Sequence, residues 1–250
     1  MVKLLSQFVM PILLTVLAAA CGSAPVENKI NPVPSPTPLP PPAERVTKPV
    51  NVSFSTYSKD WPVGWQWIDP DEKRDPTPHD VKTRVLRVRL TTKKNLNGEM
   101  NNAPRYLKPL TGDFQIETRV KFHPTEDFQG AGLLIYQDDG NFLSFERAYG
   151  GTGGGPSGIR LDAKRGGVFE PVIAPGEIQT DADEVEMKLV RGGNLFTAYW
   201  RENENAEWRD AGKFHTGYPD TVMAGLVACN TARETTVEFA YIRLSPPPKK

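Results

Sequence analysis

From Asn51 onward, apolar and polar residues alternate with a period of two in one short segment after another, the mark of strands with one buried face. The cleanest run is Asp113 to His123. Phe114, Ile116, Thr118, Val120 and Phe122 fall on a predicted core face, and Gln115, Glu117, Arg119 and Lys121 on a predicted wet face. A hairpin is predicted over Gly130 to Ala148. There an apolar run, Ala131 to Tyr136, meets Gln137-Asp138-Asp139-Gly140-Asn141, after which Phe142, Ser144 and Glu146 alternate with Leu143, Phe145 and Arg147. Asp139-Gly140 offers the positive-φ residues of a tight turn, and the first strand is apolar enough to be buried on both faces.

The remaining alternation predicts strands at Asn51 to Tyr57, Val85 to Leu90, Gly158 to Ala163 and Val168 to Ile173, then around Val185, Met187 and Leu189. Further strands follow at Asn194 to Arg201, Trp208 to Phe214, Val222 to Cys229 and Thr236 to Leu244. Asp69 to Asp80 reads as a charged loop and Gly150 to Gly155 as a glycine-rich one. No stretch carries three turns of amphipathic helix. About a dozen short antiparallel strands in one domain, residues 51–245, predict an all-β fold, a two-sheet jelly-roll sandwich, with 246–250 as a tail.

Ahead of this domain, Lys3, an apolar stretch from Phe8 to Ala20 and Cys21 have the order of a secretory signal peptide, residues 1–20. Leu17-Ala18-Ala19-Ala20-Cys21 resembles the lipobox of bacterial lipoproteins, although Ala18 stands where that motif usually has Leu. The resemblance implies acylation of Cys21 and a lipid anchor in a membrane of the bacterial cell envelope. Prolines 32, 34, 36, 38 and 40–42 make residues 21–50 a semi-rigid polyproline tether. With 30 basic and 30 acidic residues, the chain has no surplus of positive charge for a phosphate backbone, so nucleic acid is a poor candidate partner.

A second resemblance rests on Ala103-Pro104-Arg105-Tyr106-Leu107, Gly112-Asp113-Phe114, Ala131 to Tyr136 with Asp139 and Asn141, Leu189-Val190-Arg191 with Asn194, and Gly225-Leu226-Val227-Ala228. Together these are similar to the concanavalin A-like lectin/glucanase superfamily, and within it to bacterial domains related to the C-terminal module of β-xylosidases. The similarity covers roughly Val52 to Leu244. It implies carbohydrate association and assigns no catalytic residue.

Candidate chemistry is sparse. Trp65 and Trp67 offer flat faces for a sugar, with a core role as the alternative; Glu146, Arg147 and Tyr149 are the other candidate contacts, at the junction of the hairpin with the glycine-rich loop. Asp138, Asp139 and Asn141 are weak calcium candidates for which a plain turn is the simpler reading. Glu202, Glu204 and Glu207 have the spacing nearest to a hydrolase's carboxylate pair but sit in a polar turn. Asp181, Asp183, Glu184 and Glu186 read as a surface cluster, and Cys229 as a buried free thiol. Nothing in the sequence calls for a cofactor. The expectation is a monomeric, lipid-anchored, non-catalytic carbohydrate-binding sandwich, with a glycoside hydrolase or an envelope protein-protein interaction module as alternatives.

Overall fold

The computed structural model describes residues 41–52, 54, 61–91, 93–97, 101–150, 157–231 and 233–248. Cys21, the signal segment, most of the tether and residues 151–156 of the glycine-rich loop lie outside the described residues. In chain order the strands are β1 (Glu44–Arg45), β2 (Val50–Val52), β3 (Gln66–Ile68), β4 (His79–Lys82), β5 (Val85–Leu90), β6 (Arg105–Thr111), β7 (Phe114–Lys121), β8 (Gly130–Asp138) and β9 (Asn141–Ala148). They continue as β10 (Gly158–Arg165), β11 (Val168–Pro171), β12 (Ile178–Gln179), β13 (Glu184–Gly192), β14 (Leu195–Arg201), β15 (Arg209–His215), β16 (Thr221–Cys229) and β17 (Thr235–Ser245).

Two sheets result. The nine-stranded sheet runs β1-β6-β16-β8-β9-β10-β11, with β3 joined to β6 and β12 to β10; the eight-stranded sheet runs β15-β14-β13-β7-β17-β5-β4, with β2 joined to β17. Among the described residues every strand pairing is antiparallel except that of β1, whose Glu44 and Arg45 lie parallel to Leu110 and Thr111. The sheet therefore captures residues that the proline-rich composition assigned to the tether.

The alternation along each strand explains the core. Leu133, Ile135, Phe145 and Leu161 meet Ile116, Val120, Met187 and Phe239, all at most 1% exposed. Each such side chain contributes about 1.5–3 kcal/mol through burial. A second apolar cluster lies on the other face of the nine-stranded sheet, where Leu107, Leu134, Phe142 and Val227 are joined by Leu96 and Ala103 from the preceding segment. That cover is why β8 is buried on both faces, as its sequence predicts.

The hairpin forms where expected but turns differently. Neither Asp139 nor Gly140 adopts a positive φ. Instead the register shifts between Tyr136 and Asp138, and Asp138 Oδ1 accepts bonds from the Gly140 amide (2.8 Å) and from Asn141 Nδ2 (2.9 Å). A bulge plus a side-chain cap thus does the work expected of left-handed backbone.

The predicted wet face of β7 is also drier than its polarity suggests. Glu117 and Glu186 are 7% and 2% exposed. Arg119 and Arg201 both donate to Glu186 (3.1 and 2.6 Å), and Arg243 donates to Glu117 (3.1 Å). Arginine stems cover the acids they pair with, so Glu186 is part of a buried network and not of a surface cluster.

Candidate functional site

The uncovered half of that second sheet face forms a groove of about 430 Å³. Its floor follows from register. Glu146 on β9 is opposite Arg160 on β10, and Ser144 is opposite Asp162, so all four share one face. On the other side, Gly130 of β8 pairs with Ala148 and with Cys229 of β16. Gly130 leaves space for the acid: a Cβ there would stand 3.0 Å from the Glu146 carboxyl carbon.

One wall is the segment 93–97. Lys94 exchanges two main-chain hydrogen bonds of 2.8 Å with Asn230, and Asn102 accepts from the Asn95 amide (2.8 Å) and donates to the Lys93 carbonyl (3.2 Å). Beneath it the Lys94 ammonium lies 3.5–3.9 Å from carboxylate oxygens of Asp69, Asp71 and Asp75. The groove is also lined by Phe128, Gln129 and Tyr149, with Phe169 from β11. Gln129 Nε2 donates to Asn230 Oδ1 (3.0 Å), which ties this lining to the wall. Phe128 is half exposed and holds φ +66°, a conformation uncommon for a bulky residue and the kind retained where a side chain must be presented.

Burial sets the electrostatics. It pushes the Glu146 carboxyl up to about 7, with the neighbouring Asp162 adding to the effect. Asp162 is pushed up to about 6 by burial, against the opposing pull of Arg160. The Cys229 thiol is pushed well above its ordinary value by burial and by Glu146, to which its Sγ donates at 3.6 Å. The groove thus presents two carboxyls of high proton affinity, with aromatic rings in its lining.

Of the residues predicted from sequence, Glu146 and Tyr149 meet here. Arg147 does not: alternation turns it to the sandwich interior, where it is 1% exposed and donates to the main-chain oxygens of Ala182 (2.9 Å), Ala148 and Gly158 (both 3.2 Å). Trp65 and Trp67 are likewise outside the groove. Trp65 is buried on Tyr106 with centroids 4.9 Å apart, and the half-buried Trp67 stacks on His79 at 4.0 Å, so their faces serve the core. Asp138, Asp139 and Asn141 shape the hairpin turn, with Asp139 accepting from the Tyr136 hydroxyl (2.6 Å). Glu202 and Glu204 face arginines on an exposed turn. Sequence reasoning missed Asp162, Arg160, Phe128 and segment 93–97; the signal for the first two was alternation in β10, but only the pairing with β9 gives it meaning.

Residues 53–245 match the family of the β-xylosidase C-terminal concanavalin A-like domain. The chain belongs to that family. Solved structures agree on the fold of this concanavalin A-like domain. A GH43 protein from Bacillus licheniformis superposes with a TM-score of 0.60 at 18% identity, over 76% of this chain and 38% of its own. A functionally unknown protein from Saccharomyces cerevisiae gives 0.58 at 14% identity, over 74% of this chain and 98% of its own. The seed lectin of Lotus tetragonolobus gives 0.50 at 9%, over 80% and 100%. Separately, 92 residues, 36% of the chain, are 42% identical to a long-chain-fatty-acid–CoA ligase of Mycobacterium tuberculosis, of which they span 14%.

Proposed function

We propose that this concanavalin A-like domain is a non-catalytic carbohydrate-binding module, anchored in the bacterial cell envelope through acylated Cys21. The observation that carries the reading is the groove itself. Phe128, Tyr149 and Phe169 line it together with the hydrogen-bonding groups of Glu146, Arg160 and Asp162, the mixture a sugar's apolar ring face and hydroxyl rim require. The family membership supports it, and the lipobox-like sequence with its proline tether supports the location.

Glu146 and Asp162 sharing one groove favours a second reading, a glycoside hydrolase. A hydrolase separates its two carboxyls by environment, one kept protonated and one ionised. Here burial drives both in the same direction, which favours binding over hydrolysis. In affinity gels cast with neutral polysaccharides, a retarding polymer should lose about tenfold in affinity for Phe128→Ala or Tyr149→Ala, roughly 1.4 kcal/mol. Unchanged retardation of both variants would remove the groove from the account. Release of reducing sugar that disappears in both Glu146→Gln and Asp162→Asn would establish the hydrolase instead.

A further inference from the structure

The groove's floor also bears on which saccharide it takes. Glu146 is 9% exposed and lies among Ser144 on its own strand, Arg160 and Asp162 on β10, Gly130 on β8 and Cys229 on β16, with Lys93 at the mouth. The groups that approach its carboxyl are the Cys229 thiol and Ser144, with Asp162 adding a like charge. Arg160 is 3% exposed; its Nε donates to the Gly150 carbonyl (2.8 Å) and its Nη1 to the Ile159 carbonyl (3.3 Å). Two of the Arg160 donors are therefore directed at main chain and its charge acts on Asp162, while the Glu146 carboxyl meets the Cys229 thiol and Ser144.

A carboxyl matches sugar hydroxyls in either protonation state, as acceptor when ionised and as donor and acceptor when protonated. A uronate or sulfate has no such latitude. Placed beside Glu146 away from bulk water, it adds a like charge next to a carboxyl whose approaching groups are a thiol, a hydroxyl and Asp162, while the Arg160 charge is already opposed to Asp162.

We infer that the groove selects an uncharged, hydroxyl-rich saccharide over an anionic one, with Glu146 and Asp162 as the specificity-determining pair. This rests on the groove being the glycan site. The test is affinity electrophoresis of the full chain at pH 8 against matched polymers: hydroxyethyl cellulose with carboxymethyl cellulose, and arabinoxylan with glucuronoxylan. A neutral polymer that retards the chain should do so at least about tenfold more strongly than its acidic counterpart. In the folded Glu146→Gln/Asp162→Asn variant that ratio should fall toward one, chiefly by a gain for the acidic polymer. Equal or tighter binding of the acidic polymer, or a ratio unchanged in the variant, would overturn the selectivity and leave carbohydrate binding standing. If no neutral or acidic polymer retards the wild-type chain, the carbohydrate-binding reading falls and this inference with it.

Discussion

Replacing Lys94 with methionine is expected to destabilise the domain by about 3–5 kcal/mol, the cost of removing one partner from a buried charge cluster. Lys94 is 1% exposed, as is the Asp69 side chain, and its ammonium also donates to the Asp75 carbonyl at 2.5 Å. Asp71, a further member, is held below the usual carboxylate range by hydrogen bonds from Asn102 and Arg74, so it stays charged. Without the ammonium, three carboxylates face one another. Differential scanning calorimetry measures the loss. A variant melting within about 1 kcal/mol of wild type would show that the cluster carries no stability. Because the Lys94 ammonium anchors segment 93–97 on Asp69, Asp71 and Asp75, the same variant should weaken the groove wall and any binding that depends on it.

The second large effect is a stabilisation. Glu146 has its carboxyl raised from 4.5 to about 7, so between these values the folded state holds a proton that the unfolded chain releases. Stability contributed by this residue therefore falls as pH rises through that window, and the full penalty is present above about 7. The shift corresponds to about 3 kcal/mol. Glu146→Gln keeps the acceptor for the Cys229 thiol and removes the charge. It should match wild type near pH 4.5 and exceed it by about 3 kcal/mol at pH 8, a rise in Tm of roughly 2–4 °C for each kcal/mol. Asp162, raised to about 6, spreads the wild-type transition over the same range. Thermal melts of the two proteins from pH 4.5 to 8 that ran parallel would contradict the burial of an uncompensated acid here.

What was legible in the sequence follows from how local each feature is. The strand at Phe114–Lys121 and the hairpin of Gly130–Ala148 are written in nearest neighbours, through alternation, which gives their apolar faces; the bulged form of the turn and the burial of Glu117 depend on partners elsewhere in the chain. Glu146 was singled out for the same reason. The groove is not legible, because it depends on register between distant strands: Asp162 counts only once Ser144 is seen opposite it, and Leu96 only once it joins the apolar cluster that holds Val227. Aromatic content leaves two readings open. Trp65 and Trp67 look like sugar platforms in isolation, but the pairing of Trp67 with Tyr106 across β3 and β6 directs them into the core. Phe128, the exposed ring, sits in a run without alternation and gave no signal.

Ligand is expected to enter the groove on the nine-stranded sheet. Hydrogen–deuterium exchange of the full chain, with and without an oligosaccharide of a polymer that retards it, tests this most directly. Protection confined to residues 93–97, 126–130 and 144–150 is the predicted result. Protection instead on the opposite face, around Tyr199, Trp208 and Tyr241, with none at the groove, would contradict it.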